Sequence, residues 1–412
     1  MRRGWVLLAA LVTLLLSLTG CSSLTELIAP LPTTAVLMPS PIPPTPVWSA
    51  TPLPSLIPTP TPSITPTLLP VGTLPAAYQD TPQPYVAGVL PFPADVNPLT
   101  GLQVGDPAVL EHRPLLIKIS NYPRRGRPHA GLGQADVIFD YYIGEGLDRF
   151  LAVFYSQQPT NIGPLRSGRL VDAQLTSFYN GVLVYRGADP LVDDDIVATL
   201  PARAIADAPC PAICDGYDAY KTSTFVSVPG LRDWMASRGW DDRRQILDGM
   251  VFSDAVPPSE RTAEMLGVQF SNINRTEWYY NPLSGRYSRY YESDVTEDEF
   301  VMVQSIDRNT GHQVEFDNLI IIFAEYIEYK ETLHNVYLNT NYAGQPALFF
   351  RDGRALEGTW QIAGKQSPLV FKDSSGMTYR LKPGVTWVYI LGLASTVEQV
   401  EPGHWEANFD LP

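Results

Sequence analysis

The 412-residue sequence lacks the strings by which most chemistries declare themselves: there is no HExxH, no Walker A, no complete GxGxxG, no GxSxG and no CxxC pair. No reaction can be named from motifs. Only five histidines and three cysteines occur, none of the histidines stands at metal-ligand or triad spacing, and no metal or cofactor is expected. Positive charge is scarce too. The formal net charge of −14 falls to −16 without Arg2 and Arg3, so a phosphate backbone is repelled and generic nucleic-acid binding is disfavoured. Beyond residue 20 no run approaches the roughly 18 to 20 apolar residues of a membrane helix. The best candidate, Leu319 to Ala324, has the length of a strand.

Charge is nearly missing between Cys21 and Ala94, where Glu26 and Asp80 stand alone and 19 of the chain's 39 prolines are gathered. Such a stretch cannot pack a core. Repeats such as Thr59-Pro60-Thr61-Pro62 favour polyproline II. At about 3.1 Å per residue, 21–94 forms a spacer whose contour is on the order of 200 Å, unless it is simply an untailored tail.

Ahead of it, Met1-Arg2-Arg3 is a basic start, Trp5 to Leu18 an apolar core, and Leu18-Thr19-Gly20-Cys21 a small-residue cleavage site, which is the pattern of a bacterial lipoprotein signal over 1–20. Cys21 is then the lipidated residue. The alternative is an uncleaved transmembrane anchor; either puts the body outside the cytoplasm. The expected location is the cell membrane, lipid-anchored on the extracytoplasmic face, with the membrane itself as a partner through Cys21. In that compartment the remaining pair, Cys210 and Cys214, reads as a disulfide rather than free thiols or half a zinc site.

The body divides into a mixed α/β domain over 97–250 and a β-rich domain over 260–412, giving an α+β protein after a disordered Pro/Thr-rich linker. Arg113 to Ser120 is a strand, Ala135 to Tyr142 alternates, Gly144-Glu145-Gly146 breaks it, and Arg149 to Tyr155 completes a hairpin with Glu145 and Arg149 at its mouth. Leu170 to Tyr179 and Leu231 to Ser237 read as helices. Hairpins follow at Trp278 to Tyr291 and Ala347 to Gln361, with another strand at Thr386 to Leu391.

Six arginines between Arg124 and Arg169 are conspicuous in so acidic a chain. Arg127, Arg149, Arg166, Ser167 and Arg169 are the candidate ligand-binding residues, because guanidinium groups fork onto carboxylate or phosphate around a Gly-Pro turn that opens a helix. The competing account pairs these arginines structurally with Asp136, Asp140, Glu145, Asp148 and Asp172. Glu145, between two glycines, is the candidate catalytic carboxylate, although turn glutamates are usually just solvated. Asp189, Asp193, Asp194 and Asp195 read as caps of a helix over Ile196 to Leu200 in preference to a cation site. Trp278, Trp360, Trp387 and Trp405 read as core in preference to sugar-stacking platforms.

Several runs carry a family resemblance: Asn97-Pro98-Leu99-Thr100-Gly101, Arg127-Pro128 with Gly131-Leu132, Arg149-Phe150-Leu151-Ala152, Gly163-Pro164-Leu165-Arg166-Ser167-Gly168-Arg169, Gly358-Thr359-Trp360 and Lys382-Pro383-Gly384-Val385-Thr386-Trp387. They resemble the YerB-type bacterial lipoproteins, in which two adjoining domains of unknown function follow a lipoprotein signal. Tyr220-Lys221-Thr222-Ser223 departs from the pattern, where a Pro-His-Asn-type segment is expected. The resemblance implies an envelope lipoprotein of α+β character and no particular reaction. The leading expectation is a non-catalytic binding or assembly module for an anionic cell-wall glycan, peptide or envelope protein. The competing one is an envelope enzyme, either a glycan hydrolase using Glu145 or a LytR-like phosphotransferase using the arginines.

Overall fold

A computed structural model describes residues 92–216, 222–296 and 299–411. The signal segment, Cys21, Tyr220, Lys221 and all but the last three residues of the 21–94 spacer lie outside them. The described chain is built mainly of strands. Its helices are Leu170–Phe178, Pro190–Thr199 and Val228–Ser237.

The larger sheet runs, in spatial order, Leu369–Asp373, Arg354–Ile362, Gln345–Arg351, Asn318–Lys330, Thr386–Gly392, Val137–Gly144, Leu147–Phe154, Leu115–Ser120, Val182–Val184, Ala204–Ile205. Both sequence segments feed it. The junction is a parallel pairing of Val137–Gly144 with Thr386–Gly392, in which Phe139 opposes Val388 and Tyr141 opposes Ile390. Local alternation could not show this pairing, because its two strands lie far apart in sequence.

The Val137–Gly144 and Leu147–Phe154 strands form the expected antiparallel hairpin. Val137, Phe139 and Tyr141 do share one face with Leu151 and Val153, but the other face, with Ile138 and Ala152, is buried too. A sheet covered on both sides reads as an almost unbroken apolar run, which explains Leu-Leu-Ile-Lys-Ile in the neighbouring strand. Helix Leu170–Phe178 covers the first face through Val171, Leu175 and Phe178. A smaller antiparallel-rich sheet, including Ala263–Ser271, Asn274–Asn281 and Arg286–Thr296, covers the second. Trp278 projects from it and donates its indole N–H to Tyr389 Oη at 2.8 Å.

The four tryptophans of the strands, 278, 360, 387 and 405, are core residues with no exposure. Truncating any one to alanine should cost about 3 to 5 kcal/mol.

The segment 97–250 is less clearly α/β than expected. Its alternation of helix and parallel strand is confined to 170–205, where Val182–Val184 pairs in parallel with both Ala204–Ile205 and the earlier strand Leu115–Ser120. One helix also starts earlier than the aspartate run suggested. Pro190 occupies its first turn and Asp189 caps it, accepting from the Leu191 amide at 3.1 Å, because a proline's missing N–H costs nothing there. The acids 193–195 are therefore spread around a helix, with Asp193 accepting from Tyr185 Oη at 2.5 Å.

Candidate functional site

Three strand positions on the helix-covered face begin the site. Register puts Arg149 between Tyr141 on one neighbour and Ser120 on the other. Lys118 lies two residues before Ser120, so its side chain emerges on the same side. It is wholly buried. Lys118 Nζ donates to Tyr141 Oη and to Asp172 Oδ1, the latter at 3.2 Å, and sits 4.0 Å from the Tyr141 ring centroid. Tyr141 Oη in turn donates to Asp172 Oδ1.

The segment after the Gly163-Pro164 turn delivers the rest. It is pinned along the Leu115–Ser120 strand by the Arg166 amide, which donates to the Lys118 carbonyl at 3.0 Å, and by Arg166 Nε, which donates to Ser120 Oγ at 3.1 Å. Arg149 Nη1 donates to the Ser167 carbonyl at 3.0 Å, and Arg169 Nη1 to the Gly168 carbonyl at 3.0 Å. Arg169 caps helix Leu170–Phe178, and its amide donates to Asp172 Oδ2 at 2.7 Å. Asp172 is thus tied to a lysine, a tyrosine and a backbone N–H.

Among the described residues neither Arg149 nor Arg169 forms an ion pair with a carboxylate, so the cluster carries surplus positive charge. The acids that could have neutralised it are engaged elsewhere. Asp136 accepts from Asn97, Ser156 and the Tyr155 amide, and Asp148 from Asn121 and Asn274. Burial, reinforced by Arg169 and Arg166, pulls the Arg149 pKa down to about 9. Burial likewise lowers that of Lys118 to about 7, with Arg149 and Arg169 adding to the effect and Asp172 opposing it. Beside the cluster lies a cavity of about 530 Å³, lined among others by Leu165, Arg166, Ser167, Arg186, Gly187 and Thr224. Arg166 and Ser167 belong to both.

Glu145 sits on the rim, exposed, at φ 55° in the hairpin turn. Its charge is felt by Arg169. The flanking glycines are required by crowding as much as by φ: a Cβ on Gly144 would lie 2.0 Å from the Glu331 carbonyl oxygen, and one on Gly146 2.8 Å from Ser271 Oγ. The structure therefore brings Arg149, Arg166, Ser167 and Arg169 together, with Glu145 at the edge.

Arg127 makes its contacts elsewhere. It is buried against the rings of Tyr122 and Tyr291, and its Nη1 donates to Glu292 Oε1 at 2.9 Å. Glu292 lies 165 residues away, so its pairing with Arg127 has no local signal. Lys118, Tyr141 and Asp172 were missed as members of the site. The signal for Lys118 was its lone charge in an otherwise apolar strand. Cys210 and Cys214 are joined as a disulfide, their Cα atoms 4.6 Å apart.

Residues 99–215 match the N-terminal domain, and 266–388 the C-terminal domain, of the family described as protein of unknown function (DUF3048). The chain belongs to this YerB-type family. A relative from Bacillus subtilis (strain 168), named "Putative lipoprotein YerB", is 26% identical over 306 residues, covering 71% of this chain and 85% of its own length. The crystal structure of the YerB protein from Bacillus subtilis superposes with a TM-score of 0.60 at 23% identity, over 72% of this chain and 96% of that one. In this YerB-type chain the cationic cluster, from Lys118 to Asp172, falls wholly inside the N-terminal family domain. Both family domains contribute strands to the larger sheet.

Proposed function

We propose that this chain is a lipid-anchored lipoprotein on the extracytoplasmic face of the membrane, whose body binds an anionic group of an envelope component at the Lys118–Arg149–Arg169 cluster. A phosphorylated glycan end suits the cluster best. The observation that carries the reading is the surplus charge: among the described residues neither half-buried guanidinium group, Arg149 or Arg169, forms an ion pair, and the Asp172 carboxylate beside them is taken up by Lys118, Tyr141 and a backbone N–H. Guanidinium forks grip phosphate or carboxylate oxygens, and a neighbouring cavity of about 530 Å³ is of the size that takes a small ligand's uncharged part. The anchoring half rests on the signal pattern ending at Cys21 and on the relative named as a lipoprotein. No helix among the described residues is long and apolar enough to cross a membrane.

Catalysis by Glu145 has less support. Glycan hydrolysis needs an acid kept protonated by its surroundings beside a second carboxylate, whereas Glu145 is an exposed turn residue.

Titrating the full-length protein in detergent with inorganic pyrophosphate, by calorimetry, tests the binding half, and saturable binding is expected. Fractionating cells that make Cys21→Ala tests the anchor: the variant should leave the membrane fraction. A processed variant that stays with membranes would remove that half of the reading.

A further inference from the structure

On the reading that this cluster receives an anion, we infer that Lys118 is its proton-coupled element: the amine is neutral while the cluster is empty and takes up a proton when an anion docks on Arg149 and Arg169. Binding is then tighter in slightly acidic surroundings. Lys118 is therefore a positioning residue that acts through the arginines, since its Nζ is fully buried and turned to Tyr141 and Asp172.

The geometry supports this first by counting hydrogens. A neutral amine has two N–H groups, and Lys118 Nζ has two described acceptors, Tyr141 Oη and Asp172 Oδ1. A third N–H, present only in the ammonium form, has no third acceptor atom among the described residues and faces at most the Tyr141 ring, whose centroid is 4.0 Å from Nζ. The second support is the surroundings. Strand Val137–Gly144 offers Tyr141, strand Leu147–Phe154 offers Arg149, and the start of helix Leu170–Phe178 offers Arg169 and Asp172. Arg166, from the turn before it, directs its Nε to Ser120. Two positive charges and full burial oppose protonation, and one carboxylate favours it. Their balance leaves the lysine titrating at about 7.

An anion between the guanidinium groups reverses the balance. It cancels the repulsion from Arg149 and Arg169 and adds attraction of its own, so the amine's affinity for a proton rises. Linkage fixes the sign: a ligand that raises a basic group's pKa binds with proton uptake between the free and bound pKa values. Its affinity falls as pH climbs through that window and levels off below it.

The experiment uses sulfate, which does not itself titrate near neutrality, and the full-length protein in detergent. Calorimetry in buffers of different ionisation enthalpy reads the protons taken up per anion bound. Wild type should take up a substantial fraction of one proton above about pH 7, and bind sulfate roughly tenfold more weakly at about pH 8.5 than at about pH 7. In Lys118→Arg, whose guanidinium holds its proton to higher pH than the amine does, the uptake near pH 7 should vanish. In Lys118→Met the pH dependence should flatten. The wild-type measurement stands even if both variants misfold. Sulfate binding with constant affinity and no proton uptake over this range would overturn the inference and leave the anion site intact. Failure to bind sulfate and pyrophosphate at any pH would overturn the anion-site reading and this inference with it.

Discussion

The hairpin Val137–Gly144 with Leu147–Phe154 presents opposite electrostatics on its two faces. Alternation places Tyr141 and Arg149 on the helix-covered face and their chain neighbours Asp140 and Asp148 on the other. On the first face cations are in surplus. On the second, one carboxylate answers two arginines: Glu292 accepts from Arg127, Arg124 and Tyr122, Arg127 also donates to Asn121 Oδ1 at 3.1 Å, and Asp148 is held by the amides of Asn121 and Asn274. Arg289 lies over the Trp387 and Phe150 rings near Asp140. The comparison distinguishes a charge that holds the fold from one left available for a ligand. Both kinds are buried or half-buried arginines. Only the matched kind is committed within the protein.

Breaking the matched face should have the largest effect. Glu292→Ala leaves Arg127 buried beside a vanished carboxylate, and about 3 to 5 kcal/mol of folding stability should be lost in chemical denaturation. A loss below 1 kcal/mol would mean the two faces do not differ as described. Asp172→Asn removes the carboxylate that Lys118 and Tyr141 share. Because Lys118 can shed its charge instead of remaining unpaired, the cost should be smaller, about 1 to 3 kcal/mol by the same measurement.

Asp140 sharpens the comparison through pH. Burial first, and Asp148 second, raise its pKa well above the ordinary carboxyl value. The folded state therefore keeps a proton that the unfolded chain releases above about pH 4. Stability from this group is complete below that point and is lost as pH rises towards the folded pKa. Asp140→Asn does not titrate, so its melting temperature should gain on that of wild type as pH rises from about 4 to neutrality. A constant difference would show that Asp140 is ionised throughout. Glu145→Gln, on an exposed turn, should shift stability by no more than about 0.5 kcal/mol.

The hairpin, its glycine turn and the helix after Arg169 were legible because each obeys a local rule: alternation, a positive-φ position, a helical run. The convergence of Arg149, Arg166 and Arg169 followed from that local order. Proximity in sequence groups Arg127 with them, yet its partner Glu292 comes from the other family domain, and no spacing rule reaches so far. Lys118 was hidden for another reason. A charged residue in a buried strand looks like noise until the fold supplies Tyr141 and Asp172 around it. The parallel joining of Val137–Gly144 to Thr386–Gly392 was likewise invisible, since pairing across so long a separation leaves no periodic trace.

The most direct test removes both unpaired arginines at once. For Arg149→Ala combined with Arg169→Ala in the full-length protein, thermal melting and pyrophosphate titration should be measured on the same preparation. Surplus cations contribute little to the fold, so melting should stay within a few degrees of wild type, while affinity falls by at least tenfold to a hundredfold, about 1.5 to 3 kcal/mol for a lost charge-assisted hydrogen bond. A collapsed melting temperature, or unchanged pyrophosphate binding in a folded variant, would contradict the claim that this face is kept for a ligand.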